Sequence, residues 1–317
     1  MISFNKVGII GAGSYGTAVA QCFSSMVKEV LLVSDNADVT LAVNKSHMNP
    51  KFIPEVLLDE KISCTNVFSD VCNSDIIFIA VPVAAVASVC NKLKEHKITV
   101  PIVLCSKGFC IETGQLQSDL FEEILDNDYE IFSGPSFASE ISRGLPAGVN
   151  IAGKNYELSV RIAECLSSQT FKIEPIHDYI GLQVAGALKN VLAIGCGIFS
   201  GLKLGSSAIS KFIVSGLREV AELSVALGGQ KSTIYELGGI GDTILTCTSR
   251  QSRNILFGEH IAAGGTIDNW NGPLAEGIFA AKAIPTLKQN HCLKLKIFSE
   301  IYKIIYEKKS VNQDSLL

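Results

Sequence analysis

Three glycines near the start of the chain, Gly11, Gly13 and Gly16, stand in a G-x-G-x-x-G pattern. The apolar run 7–10 precedes them, and an alanine-rich stretch of helical character, residues 14–26, follows. That order matters more than the glycines themselves. A strand, a tight turn and a helix start present freed amide hydrogens and the positive end of a helix dipole to an anion. In such a loop Gly11 permits the turn, Gly13 lets the backbone approach a pyrophosphate, and Gly16 lets the helix pack closely on the strand. The sequence therefore predicts a dinucleotide site, with a plain glycine-rich turn as the alternative.

The first half of the chain continues the alternation. Runs 30–33, 75–81 and 101–105 are short and nearly continuous in apolar character, as strands covered on both faces should be. Helical stretches such as 83–94 lie between them, which implies right-handed crossovers and a doubly wound sheet. Further strands are expected at 129–132, 147–152 and 170–174, with a helix over 156–168. Beyond residue 178 the pattern turns to helices, including 209–227 and an amphipathic tail helix over 293–308. The expected architecture is α/β: an N-terminal Rossmann-type domain over 1–178, then an all-helical substrate-binding domain over 179–317.

Composition narrows the function. With 317 residues, 47% apolar and 18% charged, the chain can bury a large core. A net charge of -4 argues against general nucleic-acid binding and against an anionic membrane surface. The 10 cysteines are scattered without a C-x-x-C pair, so neither a disulfide framework nor a zinc site is expected. No H-E-x-x-H pattern appears among the 5 histidines, and no metal is predicted. A first strand at residues 7–10 leaves no room for a signal peptide, so a reducing cytoplasmic setting is expected. Residues 180–202 are apolar and long enough to span a bilayer. They contain Gln183, Lys189 and Asn190, and a central lysine alone costs roughly 2.5–3.5 kcal/mol on insertion scales. A buried helix is the better expectation.

Several residues are candidates for chemistry, each with a plainer alternative. Asp35 follows the second strand where an acidic residue can bond a ribose hydroxyl and repel a 2′-phosphate, which favours NAD; Asp35 or Asn36 can equally cap the next helix. Lys107, in Ser106-Lys107-Gly108, ends the fourth strand at the edge where open α/β sheets bind ligands, although lysines usually sit on solvated surfaces. Residues 133–140 form a turn with Gly134, Ser136 and Ala138, in which Pro135 suits the first helical position. Lys189 lies mid-helix among apolar neighbours. Desolvation there would lower its pKa toward that of a general base, unless it snorkels to the surface. Asp242 falls in the glycine-rich turn 238–242. Ser252, Arg253 and Asn254 follow at an expected helix start suited to a phosphate. A cap with a surface arginine is the alternative. Glu276, taken alone, reads as surface.

Taken in order, the segments GAGSYGTA, SKGF, GPSFASE, GALKNVLAIGCGI, GGIGDTILTCTSRQSRN and AEG closely resemble the bacterial NAD(P)-dependent glycerol-3-phosphate dehydrogenases. The resemblance runs from Lys6 to Gly277. It implies reversible interconversion of sn-glycerol 3-phosphate and dihydroxyacetone phosphate with NAD or NADP, supplying glycerol 3-phosphate for phospholipid synthesis. By motif it implies cofactor contacts from Gly11, Gly13, Ser14, Tyr15, Gly16, Lys107, Ala138, Arg253 and Glu276, to which the strand-end position adds Asp35. Substrate contacts are implied for Lys107, Gly134, Ser136, Lys189, Asp242, Ser252, Arg253 and Asn254, with Lys189 as proton acceptor.

The chain departs from the resemblance at Asp35, where many bacterial relatives carry a basic residue or histidine suited to NADP. Other dehydrogenases of this architecture, of the 6-phosphogluconate or 3-hydroxyacid type, are the enzymatic alternative, and a non-catalytic nucleotide sensor is the other. The block Ser252-Arg253-Asn254 speaks against the former. The presence of Lys189, Asp242 and Arg253 speaks against the latter. The apolar face of the tail helix raises the expectation of a homodimer.

Overall fold

The computed structural model describes residues 4–311. Its contacts divide the chain into two compact units: an α/β unit formed by the residues up to Ser106 and by Gln117–Tyr179, and a helical unit formed by Lys107–Leu116 and the residues from Ile180 onward.

The α/β unit contains β1 (Lys6–Ile10), α1 (Ser14–Ser24), β2 (Glu29–Val33), α2 (Ala37–Ser46), β3 (Met48–Asn49), β4 (Ile53–Leu57), β5 (Ile62–Thr65) and β6 (Ile76–Ile79). It continues with α3 (Val83–Glu95), β7 (Ile102–Leu104), α4 (Gln117–Glu122), β8 (Tyr129–Ser133), α5 (Ala138–Ile141), β9 (Ala147–Gly153), α6 (Tyr156–Leu166) and β10 (Phe171–Pro175). Eight strands make one sheet in the order β10-β9-β8-β7-β6-β1-β2-β5. Its pairs are parallel except β8 with β9. The chain winds from β1 out to β5 and then returns to β6 on the other side of β1. The glycine loop therefore leaves the sheet at the switch in winding direction, where such sheets bind ligands.

Each expected strand is present. The sequence reading did not foresee β5 or the small antiparallel β3–β4 pair. Strand β5 is a sheet edge whose residues alternate between buried and half-buried, so its four residues lack the continuous apolar signal of β6. Phe23 of α1 packs with Phe78, Phe132 and Phe171 at centroid distances of 5.0, 6.4 and 6.2 Å. This aromatic cluster presses α1 onto the sheet and thereby fixes the loop that leads into it.

The helical unit contains α7 (Tyr179–Gly201), α8 (Ser206–Ala226), α9 (Asp242–Thr248), α10 (Arg253–Ala262), α11 (Glu276–Lys282), α12 (Ile284–Asn290) and α13 (Lys296–Tyr306). Every residue of α7 from Gly181 to Phe199 is buried, which accounts for its membrane-like composition. Helix α10 crosses it at backbone contact: a Cβ on Gly197 would lie 2.2 Å from the Ile255 carbonyl, and one on Gly258 would lie 2.1 Å from the Ile194 carbonyl. Phe109 and Leu116, from the segment between β7 and α4, join this core.

The tail helix α13 turns Phe298, Ile301, Ile304 and Ile305 into the same core. Its start is held by Glu219 of α8, whose carboxylate accepts the amide hydrogens of Ile297 at 3.0 and 3.1 Å and of Phe298 at 3.4 Å. The apolar face that suggested dimerisation packs within the unit.

Candidate active site

In the α/β unit the three loop glycines are required for different reasons. Gly11 adopts φ +112°, and a Cβ there would lie 2.5 Å from the Ala80 carbonyl. A Cβ on Gly16 would lie 1.9 Å from the Gly11 carbonyl. Packing thus accounts for both. A Cβ on Gly13 would meet nothing within 4 Å. The protein itself does not need glycine at this position, so Gly13 is the one that leaves open a cradle at the start of α1, where no side chain caps the helix. The residues present fit a dinucleotide pyrophosphate.

Neighbouring side chains hold this loop in place. Buried Asn49 donates to the Ala12 carbonyl at 3.0 Å and to the Thr17 hydroxyl at 2.9 Å. Its role was missed in the sequence, since an asparagine 37 positions away carries no local signal. Ser14 donates to the Phe52 carbonyl at 3.2 Å, and the Tyr15 hydroxyl lies 3.2 Å from that of Ser136. Ser136 also donates to the Gly134 carbonyl at 3.2 Å. Helix α5 begins at Ala138, so Pro135 does not open it. Gly134 is pressed against β9, where a Cβ would lie 2.5 Å from Val149 Cα, and the Ser136 bond closes the turn before the helix starts. At the end of β2, Asn36 supplies the cap of α2, accepting from Asp38 at 3.0 Å and Val39 at 3.1 Å. Asp35 is exposed and does not cap the helix.

In the helical unit the charged candidates converge. Asp242, 1% exposed, opens α9 after an irregular glycine turn. One carboxylate oxygen accepts from Lys189 Nζ at 2.5 Å and the other from Lys107 Nζ at 2.8 Å. Lys189 also donates to the Thr246 hydroxyl at 2.8 Å. Thr246 lies one helical turn after Asp242, so both face Lys189.

The electrostatics follow from burial set against charge. Desolvation pushes the Lys189 ammonium down to about 8; Asp242 opposes the shift and Lys107 adds to it. Burial alone would raise the Asp242 carboxyl, but Lys107 and Lys189 hold it below its ordinary value. Glu276, at the first turn of α11, is raised by burial against the pull of Lys107, Lys189 and Arg253. Arg253 is exposed at the start of α10. The preceding Ser252 has a buried hydroxyl with no hydrogen-bond partner among the described residues. Asn254 is buried, and its side chain bonds Asn190 and the Gly277 amide. A neutralisable lysine beside a fixed carboxylate can exchange a proton with a hydroxyl, and an arginine at a helix start can hold an anion.

Two family models cover nearly the whole chain. The N-terminal model of NAD-dependent glycerol-3-phosphate dehydrogenase matches residues 6–159, and the C-terminal model matches residues 178–314. The chain belongs to this dehydrogenase family. It is 34% identical to the glycerol-3-phosphate dehydrogenase (NAD(P)+) of Zymomonas mobilis, over 98% of this chain and 91% of that protein. It is 36% identical to the enzyme of the same name from Caulobacter vibrioides, over 96% and 93% of the two chains. The crystal structure of glycerol-3-phosphate dehydrogenase from Coxiella burnetii superposes with a TM-score of 0.92 at 29% identity, covering 98% of this chain and 97% of the other. Matching family models in both halves set aside the 6-phosphogluconate and 3-hydroxyacid types.

Proposed function

We propose that this chain interconverts sn-glycerol 3-phosphate and dihydroxyacetone phosphate with NAD or NADP, in the cytoplasm, supplying glycerol 3-phosphate for phospholipid synthesis. The observation that carries this proposal is the buried Asp242 carboxylate shared by buried Lys189 and half-buried Lys107, in a chain that belongs to this family. When bound, the dinucleotide supplies the hydride acceptor in one direction and the hydride donor in the other.

The residues of the helical unit handle the proton and the phosphate. Neutral Lys189 takes the proton of the secondary hydroxyl during oxidation, and its ammonium returns a proton to the oxygen during ketone reduction. Asp242 and Thr246 occupy two of its three donor positions and aim the third at the substrate oxygen. Lys107 polarises that oxygen, and Asp242 orients both lysines. Arg253, with the Ser252 hydroxyl and the first amides of α10, anchors the phosphate and so fixes the reacting carbon. Glu276 contributes to the cofactor side.

In the α/β unit, Gly11, Gly13, Ser14, Tyr15 and Gly16 hold the pyrophosphate, and Ala138 contributes to the same cofactor. Gly134 and Ser136 contribute to the substrate side. Asp35, left out of helix capping by Asn36, accepts from a ribose hydroxyl and disfavours a 2′-phosphate.

Reduction of dihydroxyacetone phosphate, followed spectrophotometrically with NADH and NADPH in parallel, tests the proposal. Turnover with NADH at least equal to that with NADPH is expected. Absence of turnover with either nucleotide would remove the proposed reaction. Faster turnover with NADPH would remove only the role given to Asp35.

A further inference from the structure

Ala12 stands between the first two glycines of the loop, and its carbonyl is held from the inside of the protein. Asn49 Nδ2 donates to it at 3.0 Å, and the Thr17 hydroxyl donates to it at 3.3 Å. Asn49 Nδ2 also donates to the Thr17 hydroxyl oxygen at 2.9 Å. Ala12 is 5% exposed, and Thr17 and Asn49 are 0% exposed. A carbonyl only accepts, so the nitrogen of Asn49 must face Ala12, with one hydrogen on Ala12 and one on Thr17. The Asn49 oxygen is buried with no partner among the described residues. Leaving an acceptor unpaired costs free energy. The two donors, not the amide as a whole, are what this position uses.

The Ala12–Gly13 peptide is planar and trans, so its C=O and N–H point in opposite directions. With the carbonyl held inward, the Gly13 N–H is turned outward, into the cradle that Gly13 leaves open at the start of α1. An N–H in that place meets the pyrophosphate of a dinucleotide. Gly13 itself does little to hold the plane, since it has no Cβ and no neighbour that a Cβ would meet. The openness that admits the ligand therefore has to be restrained from the other side. Asn49 lies on β3, and its own carbonyl accepts the Phe52 amide at 3.2 Å. The Phe52 carbonyl in turn accepts from Ser14 at 3.2 Å. The β3–β4 hairpin thus grips the loop on both sides of the Gly13 amide, at Ala12 and at Ser14.

We infer that Asn49 and Thr17 are positioning residues of the cofactor site. They fix the Ala12–Gly13 peptide plane and so aim the Gly13 amide at the pyrophosphate. Both side chains are fully buried and act through the loop, not by contact with the dinucleotide. The inference rests on dinucleotide binding at the glycine loop and is independent of the substrate proposed above.

Binding of NADH, ADP and adenosine to the whole protein tests this in wild type, Asn49→Ala, Thr17→Val and Thr17→Ser. NADH is followed by fluorescence, ADP by calorimetry and adenosine by ligand-observed NMR, with folding checked by circular dichroism. Asn49→Ala and Thr17→Val should each weaken NADH and ADP roughly tenfold, the scale of one hydrogen bond to a charged group. Adenosine carries no phosphate, and its affinity should stay near the wild-type value. Thr17→Ser keeps the hydroxyl and should retain most of the ADP affinity that Thr17→Val loses. In turnover, Thr17→Val should raise KM for NADH by more than it lowers kcat. Should Asn49→Ala fail to fold, the Thr17→Val and Thr17→Ser pair carries the test.

Wild-type ADP affinity in the folded variants would overturn the inference. So would equal losses for ADP and adenosine, which would mark a general loosening of the site. An equal loss in Thr17→Ser and Thr17→Val would assign the effect to packing and overturn it as well. A wild-type chain that bound neither NADH nor ADP would remove the dinucleotide site itself, and the inference with it. Absence of turnover with dihydroxyacetone phosphate would leave these binding measurements intact and remove only the proposed reaction.

Discussion

Glu130 of the α/β unit and Asp242 of the helical unit are the two most deeply buried carboxylates among the described residues, and they have opposite surroundings. Asp242 in the helical unit has an ammonium on each oxygen, and it stays charged despite being 1% exposed. Glu130 in the α/β unit is 0% exposed and lies on β8 opposite Gly153 of β9. A Cβ on Gly153 would lie 2.6 Å from Glu130 Oε1, so the glycine makes room for the carboxyl. One oxygen accepts from the Ser159 hydroxyl at 2.5 Å, and the other has no partner among the described residues. Burial pushes this group up to about 8, against the Ser159 bond and with a small contribution from Asp128. Burial alone makes an acid neutral; burial with two cations makes a fixed charge that can tune a lysine.

Breaking the charged cluster should have the largest effects. Lys189→Ala should lower kcat by about 10²–10⁴-fold, the usual range for a positioned acid–base group. Binding of NADH, read by fluorescence titration, should change little. Near-normal turnover would show that another group accepts the proton. Asp242→Asn leaves the buried Lys189 and half-buried Lys107 ammonium groups without their shared counter-charge, and loss of one partner from a buried pair costs about 3–5 kcal/mol of stability. Lys189 can relieve part of that cost by losing its proton, so its midpoint should fall below the wild-type value. Thermal melts and pH–rate profiles of the variant check the two effects separately.

The wild-type pH profile follows from the same shift. Lys189 titrates near 8, so its neutral form grows as pH rises through that value. Oxidation of glycerol 3-phosphate should gain rate with rising pH across about 7–9, and ketone reduction, which needs the ammonium, should lose it. Profiles that run in the same direction for both reactions would separate Lys189 from proton transfer.

The same contrast governs how much was legible in the sequence. The glycine loop is a local object: strand, turn and helix start lie within about twenty residues, and the different duties of Gly11, Gly13 and Gly16 follow from backbone geometry. Lys189 stood out because a lysine inside an apolar helix conflicts with its surroundings. Asp242 was a candidate from its glycine-rich turn, but its sharing between two lysines carried no local signal, since it is 53 positions from Lys189 and 135 from Lys107. The segment 107–116 packs into the helical core through Phe109 and Leu116, a tertiary fact that no periodicity in ten residues reveals. Asn190, Asn254 and Gly277 meet only after three helices are packed, so their pairing carried no sequence signal. Glu130, inside an otherwise apolar strand, gave the same kind of conflict as Lys189 and was read only as strand.

Glu130 is where the smallest effect is expected, and it tests the uncharged half of the comparison. Its folded-state value near 8 lies above the ordinary carboxylate value of 4.5, so between these values the folded chain binds more protons than the unfolded one. Its contribution to stability is present below about 4.5 and is lost as pH rises through about 8. Glu130→Gln keeps the shape and the bond with Ser159 but cannot ionise. Wild type should lose on the order of 1–3 kcal/mol more than the variant between pH 5 and pH 9, read by denaturant unfolding. Turnover at pH 7 should be the same in both, because the group lies in the sheet and outside the proposed proton path. Equal pH slopes would mean that Glu130 remains charged when buried. Burial without a counter-charge would then be no different from burial between Lys107 and Lys189.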